Sequence, residues 1–342
     1  MAAVFEVLTP GLLTTVQDRG RHGYQAFGMP VAGAVDEYAL RVANLLVGND
    51  ENAAALEITL LGPTLRVLEP AVIAITGADL GAMLNGETLP LWQAVAVKAG
   101  DEISFTGVRS GCRAYLAVAG GIDAPVVMGS RSTYLRGNIG GLDGRALKTG
   151  DKLPVGEPPA AARLRVGRRV PSEFIPTYAD NITLRVVLGP QDDHFTPAGR
   201  ETFLTGEYVV TNEADRMGYR LDGPKIEHSG GADIISDGIP LGAVQVPGHG
   251  LPIVMLADRQ TTGGYPKIAT VVSADLYRIG QAKPGDKVRF VAVSREEAIR
   301  LLREQEENLR RLAELLSRPA GRLRQFRITV HGETFEALVE EL

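Results

Sequence analysis

Apolar runs in this chain are short, and glycine or proline stops almost every one of them. Its 342 residues include 40 glycines and 20 prolines, with valine, leucine and isoleucine spread throughout. That pattern fits many strands joined by tight turns, because a strand needs only a few residues between breakers. Val4 to Leu8 alternates and stops at Pro10-Gly11. Leu12 to Val16 opens into a polar loop at Gln17, and Leu56 to Leu60, Leu65 to Leu68, Val72 to Ile75, Arg113 to Val118, Leu184 to Leu188 and Tyr208 to Val210 read as further strands. Asn85-Gly86 is a hairpin signal. A Lys-x-Gly-Asp turn returns at Lys98, Lys148 and Lys283, each time ahead of a hydrophobic or β-branched segment. Glycine there takes the positive φ, and the aspartate can bond its neighbours' amides. The recurrence hints at barrels built on similar hairpins.

Helices are few. Asp36 is placed to cap a helix over Glu37 to Val47 that Gly48 stops. Thr196-Pro197 opens another that closes at Gly206. Ser294-Arg295-Glu296-Glu297 is a capping box, and a charged amphipathic helix follows to about Ser317, with Leu302, Leu309, Leu312 and Leu316 on its apolar face. Phe326 to Phe335 reads as a terminal hairpin about a His-Gly turn.

The length predicts two domains. Glu157 to Ala162 reads as a linker, and the run Arg163, Arg165, Arg168, Arg169 as a solvated edge strand. A net charge of -5 with no broad basic field argues for neither nucleic acid nor a membrane surface. The single cysteine, Cys112, excludes an internal disulfide and reads as a small buried hydrophobe in a strand. The start shows no secretory pattern, and no apolar run reaches the roughly 18 residues of a membrane span. The expected location is the cytoplasm.

Chemistry concentrates in loops. The segment from Asp237 to Lys267 centres on the apolar run Leu251 to Ala257, which fits a buried strand. It opens directly into Asp258-Arg259-Gln260-Thr261-Thr262. Such a sequence of donors and acceptors suits a polar ligand, although aspartate and threonine are also ordinary turn residues. A second loop, Met128 to Arg145, crowds glycines, hydroxyls and arginines, a composition that suits carboxylate or phosphate. No P-loop and no dinucleotide fingerprint is present, and none of the five histidines is spaced three or four from another, so no local metal pair is expected.

Thr15 to Tyr24 (T-V-Q-D-R-G-R-H-G-Y), Gly28 to Asp36 (G-M-P-V-A-G-A-V-D), Ala119 to Pro125, Gly129 to Thr133, Asp215 to Leu221 (D-R-M-G-Y-R-L), Val244 to Gly248 and Ala257 to Lys267 (A-D-R-Q-T-T-G-G-Y-P-K) carry a resemblance. The chain resembles the biotin-dependent carboxyltransferase-like family, which includes the C subunit of 5-oxoprolinase, the KipI antagonist KipA, allophanate hydrolase subunit 2 and part of urea carboxylase. The resemblance implies a mainly β fold of two cyclophilin-like β-barrel domains with a few short helices. The expected boundaries are 1–160 and 161–293, followed by a charged helix and hairpin over 294–342, with strands open to exchange between the barrels.

The resemblance also implies one component of an ATP-hydrolysing 5-oxoprolinase, with ATP and magnesium acting at the level of the complex. Its partners would be a KipI-like B subunit and a LamB/YcsF-like A subunit, and its substrate a small lactam or amide. Catalytic roles are expected for Asp18, Arg19, Asp258 and Arg259. Substrate contacts are expected from Gln17, Met29, Pro30, Ser130, Arg131, Ser132, Arg216, Gln245, Gln260, Thr261, Thr262, Tyr265 and Lys267. The tail resembles the opening hairpin of a biotin carrier, yet no Met-Lys-Met biotin site occurs, so no covalent biotin is expected here. Two other readings stay open: a KipA-like regulator that binds a kinase inhibitor, and a carboxyltransferase component acting on urea or another amide.

Overall fold

The computed structural model describes residues 3–318, 322–330 and 333–341. In chain order the first half runs β1 (Ala3–Thr9), β2 (Leu13–Gln17), α1 (Glu37–Val47), β3 (Ala55–Thr59), β4 (Thr64–Val67), β5 (Ala71–Asp79), β6 (Ala82–Leu84), β7 (Glu87–Thr88), β8 (Ala94–Val97), β9 (Glu102–Phe105), β10 (Ser110–Val118) and β11 (Lys152–Pro154). These strands make two sheets, ordered β11-β1-β4-β9-β6-β7 and β2-β3-β10-β5-β8. The sheets share one core, in which Phe5, Leu65 and Ile103 of the first meet Ile58, Ile73 and Leu116 of the second. On its other face the second sheet carries α1, with Leu40, Ala43 and Leu46 against Ala74, Tyr115 and Ala117. Strands β5 and β10 are therefore covered on both faces, which is why their sequences are continuous runs rather than alternations.

The second half runs β12 (Asn181–Leu188), α2 (Pro197–Thr205), β13 (Tyr208–Val210), β14 (Gly218–Asp222), β15 (Asp237–Gly238), β16 (Ala243–Gln245), β17 (Ile253–Met255), β18 (Thr262–Gly263), β19 (Lys267–Val271), α3 (Leu276–Gly280) and β20 (Lys287–Ala292). Seven of its strands close a barrel in the order β12-β19-β16-β17-β14-β13-β20. Leu184, Val186, Tyr219, Val244, Val254 and Phe290 fill it.

The fold is mainly β, as expected, but only the second half closes. In the first half, loops line both edges of the second sheet. Leu147 N and Thr133 N donate to Thr14 O and Val16 O along β2, each at 2.9 Å, while Arg168 O and Gly167 N bind Ala94 at the far edge, each at 2.8 Å. All strands of the two sheets come from residues 3–154 and all strands of the barrel from 181–292, so no strand is exchanged among the described residues.

Local signals were accurate. Asp36 accepts from Ala39 N at 2.9 Å, and α1 ends at Gly48 with φ +83°. Thr196 caps α2 and Ser294 caps the long helix α4 (Arg295–Ser317). Asn85 and Gly86 both take positive φ between β6 and β7, the geometry that matches strand twist in a two-residue hairpin. In all three Lys-x-Gly-Asp turns the lysine amide donates to the aspartate, at 2.9, 2.8 and 3.0 Å, across a glycine of φ +85° to +92°.

Three expectations change. The strand expected over Leu251 to Ala257 narrows to Ile253–Met255, because the chain turns at Leu256. In α4, Leu309, Leu312 and Leu316 are buried, but Leu302 is 38% exposed, since the packing on the first half begins at Leu309. The basic run forms no edge strand: Ala162–Arg165 is a 3-10 turn, and Arg165 and Arg168 donate to Leu316 O at the C-terminus of α4, where cations are favoured. A terminal hairpin, β21 (Arg322–Val330) and β22 (Glu333–Glu341), pairs in register, and its His331-Gly332 turn lies outside the described residues. Among the described residues no helix is long and apolar enough to cross a membrane.

Candidate functional site

The loop after β2 and the loop after β10 are tied together by one carboxylate. Asp18 accepts from Gly20 N (2.8 Å), Ser130 Oγ (2.7 Å), Ser132 Oγ (2.5 Å) and Arg131 N (2.6 Å). Gln17 donates to Thr15 Oγ1 at 3.0 Å and to Thr133 O at 3.1 Å. The structure thus gathers Gln17, Asp18, Ser130 and Ser132, but the carboxylate and both hydroxyls are committed to one another. Arg131 turns its side chain away, to Asp123 at 3.1 Å and to Ala124 O.

Beside them lies the junction between the two halves. Arg216 donates to Asp258 through Nε and Nη2, at 3.0 and 2.9 Å, to Gly33 O at 2.6 Å, and to Glu57 of β3. Glu57 in turn accepts from Val35 N at 2.9 Å and Tyr115 Oη at 2.7 Å. Burial acts to raise the Glu57 pKa, but Arg216 and Arg113 outweigh it and hold the carboxyl below its ordinary range. Arg113 donates to Tyr219 Oη of the barrel at 2.5 Å and to Gly280 O at 2.6 Å. Gln281 donates to Asp36 at 2.7 Å and accepts from Arg113 N at 2.9 Å. This buried network runs between the two halves and is the joint of the molecule.

What is not committed lies on two sides of the Asp258–Tyr265 loop. On one side, a cavity of about 160 Å³ is lined by Arg19, His22, Gln25, Glu37, Leu256 and Arg259, among others. Arg259 is 5% exposed, donates only to the carbonyls of Ile239 and Leu256, and has no carboxylate partner among the described residues. Burial pulls its pKa down to about 10. Arg19 reaches the same cavity while pairing with Glu37 at 2.7 Å. On the other side, a cavity of about 220 Å³ is lined by Arg136, Arg220, Gln245, Met255, Gln260 and Tyr265, among others. Met29 and Pro30 line neither cavity.

Lys267 faces Gln245 in the β16–β19 ladder and donates to Asp237 at 3.0 Å. That hydrogen bond, chiefly, holds the Asp237 carboxyl below its usual range. Thr261 O accepts from Ile239 N, and Thr262 pairs with Gly238, so these threonines serve the backbone of the β15–β18 ribbon. A cavity of about 960 Å³ lies apart on the first half, where Val4, Val72, Val97, Pro158 and Val166 help line it. It touches none of the expected site residues. Among the described residues no group of His, Cys, Asp and Glu is arranged to hold a metal.

Several residues of the joint were not legible as such. Glu57 and Arg113 sit inside strands that otherwise read as buried, and that mismatch was the available signal. Arg21 is fully buried, donates to Ser132 O at 2.5 Å, and leaves Nε and Nη1 unpartnered among the described residues. Burial lowers its pKa, against the opposing charges of Asp18 and Asp258. Arg136 and Arg220 lie in stretches that the sequence marks, Met128 to Arg145 and Asp215 to Leu221, but neither was among the expected site residues.

Known proteins resemble this chain over most of its length. The chain is 40% identical over 317 residues to the C subunit of 5-oxoprolinase from Escherichia coli (strain K12), covering 91% of this chain and 98% of that one. It is 38% identical to a urea amidolyase of Saccharomyces cerevisiae, covering 85% of this chain but 17% of that one. The crystal structure of the K. lactis urea amidolyase superposes with a TM-score of 0.86 at 36% identity, covering 91% of this chain and 20% of that one. Residues 27–292 match the carboxyltransferase domain, subdomain A and B. The chain belongs to that carboxyltransferase-domain family.

Proposed function

We propose that this chain is the C subunit of an ATP-dependent 5-oxoprolinase, acting with A and B subunits to open the 5-oxoproline lactam to glutamate. The observation that carries this reading is identity: the chain is 40% identical to the C subunit of the E. coli 5-oxoprolinase over 98% of that subunit, the highest identity among the relatives compared. A cytoplasmic setting suits both ATP and the free thiol of Cys112.

The chemistry asks for stabilised negative charge. A lactam carbonyl is a poor electrophile, so its oxygen bonds to the γ-phosphorus of ATP as ADP leaves. Water adds to the activated carbon, the C–N bond breaks as nitrogen takes a proton, and a second water releases phosphate from the resulting acyl phosphate. Of the arginines considered, Arg131 and Arg216 are committed to carboxylates and carbonyls, while Arg19 and Arg259 share a cavity. Arg259, buried and without a carboxylate partner among the described residues, suits an anionic group such as phosphate. Asp18 and Asp258 serve in this account as positioning residues for the loops.

Co-purification of this chain with its A and B partners, followed by assay of glutamate formed from 5-oxoproline and ATP, tests the reading. Glutamate formation that requires all the subunits supports it. A stable complex that turns over neither 5-oxoproline nor urea would favour a regulatory binding protein instead.

A further inference from the structure

Arg19 lines the 160 Å³ cavity with one of its three side-chain nitrogens engaged. Nε donates to Glu37 Oε1 at 2.7 Å, and neither Nη1 nor Nη2 has a hydrogen-bond partner among the described residues. Arg259 borders the same cavity. Its Nε and Nη1 donate to Ile239 O and Leu256 O, and its Nη2 has no partner among the described residues. Two guanidiniums thus leave three terminal nitrogens uncommitted beside one small space. The carboxylate that engages Arg19 is itself well held. Glu37 opens α1 directly after the Asp36 cap, and Arg41, one turn on, stands 3.8 Å from the same Oε1. Arg41 is fixed in turn by Glu51 at 2.6 Å and by both oxygens of Glu306 on α4, at 2.6 and 2.8 Å.

From this we infer that Glu37 is a positioning residue, which holds Arg19 by Nε so that its Nη1–Nη2 edge meets a phosphoryl-sized oxyanion together with Arg259. The inference rests on the reading of this cavity as the phosphoryl site. A guanidinium tethered at Nε keeps one edge of two parallel donors free, the geometry that takes two oxygens of a phosphate at once. An arginine without that tether must give up its rotamer freedom when the anion arrives.

Size fits the same ligand class. The cavity, about 160 Å³, is smaller than the roughly 300–1,000 Å³ of sites that enclose drug-sized ligands, so a phosphoryl group enters while a nucleoside stays outside. Glu37 lines the cavity as well, and its negative charge opposes an anion there. Positioning and charge therefore act in opposite directions at this one residue, and a test has to separate them.

The test uses the full chain, with calorimetric titration of inorganic phosphate at one pH, and the assembled enzyme for KM and kcat. Glu37→Gln and Glu37→Ala remove the same charge, but only glutamine keeps an acceptor for Arg19 Nε. The difference between the two variants therefore reports positioning alone. Glu37→Ala is expected to bind phosphate about tenfold more weakly than Glu37→Gln, the scale of one hydrogen bond to a charged group. In an Arg19→Met background that difference should vanish, because position 37 then has nothing to hold. In the assembled enzyme Glu37→Ala should have a lower kcat than Glu37→Gln, with KM for 5-oxoproline nearly the same. Melting curves of each variant check the fold. Equal phosphate affinity in the two variants, a difference that persists without Arg19, or a wild-type chain that binds no phosphate overturns the inference. If the assembled enzyme nevertheless turns over 5-oxoproline, the oxoprolinase reading stands. If the phosphate results hold and 5-oxoproline is not turned over, the positioning role stands and the oxoprolinase reading falls.

Discussion

Arg216 and Glu57 join the two halves of the molecule: a guanidinium at the foot of barrel strand β14 donates to a carboxylate in the middle of β3, with both side chains almost wholly buried. Asp258 holds the same guanidinium from the other side at 2.9 Å. Removing Arg216 would leave buried Asp258 without its cation and Glu57 with Arg113 alone. Arg216→Met should therefore lower unfolding stability by about 3–5 kcal/mol, measured by urea denaturation. Arg216→Lys should not restore it, because a single ammonium cannot reproduce the planar fork. A loss below about 1 kcal/mol would show that the joint does not depend on this cation.

Asp18 organises the loop that carries Ser130 to Thr133 by accepting four hydrogen bonds. Asp18→Ala should speed amide exchange at Arg131 and Ser132 and cost about 1–3 kcal/mol or more, since buried donors lose their acceptor. Exchange rates at these amides, compared with those in the barrel core, give the answer directly. Unchanged protection would mean that the loop is held by its other contacts.

Burial pushes the Asp36 carboxyl up to about 6, against hydrogen bonds from Ala39 N, Gln281 and Tyr178. A carboxyl whose folded pKa lies above its unfolded value gives stability that is complete below the unfolded pKa. That stability is lost as pH rises through the folded one. From about pH 4 to about pH 6 the wild type should thus lose on the order of 2–3 kcal/mol from this group. Asp36→Asn should lack that loss, so the stability difference between the two proteins should shift in the variant's favour between pH 4 and pH 7. Parallel denaturation curves across this window would remove Asp36 as the source.

Arg259 carries the charge-stabilising role in the proposed function. Arg259→Met fills a similar volume and relieves an unneutralised buried cation, so the fold should survive with little loss. Turnover by the assembled enzyme should nevertheless fall by about 10²-fold, the scale of losing one preorganised donor. Wild-type turnover in this variant would take Arg259 out of the mechanism.

Much of the fold was legible because local chemistry decides it. The cap at Asp36, the Asn85-Gly86 turn and the three Lys-x-Gly-Asp turns are set by residues within a few positions of one another, and the structure has each of them. Closure of the sheets was not legible. The sheet edges pair with the loops carrying Leu147 and Arg168, which are contacts far apart in sequence. The site divides in the same way. Motif residues such as Gln245, Gln260, Tyr265, Arg19 and Arg259 do border cavities. Whether an arginine faces a cavity or a carboxylate depends on the partner brought from the other half. Arg216 and Arg259 lie in similar polar loops, yet only the first meets Glu57.

The central claim is that this chain completes a lactam-opening enzyme. The most direct measurement is the ADP and glutamate formed from ATP and 5-oxoproline by the A and B subunits, with and without this chain. The account predicts coupled formation of both products that disappears when the chain is omitted. Full turnover by A and B alone, or an assembled complex that forms no glutamate, would contradict it.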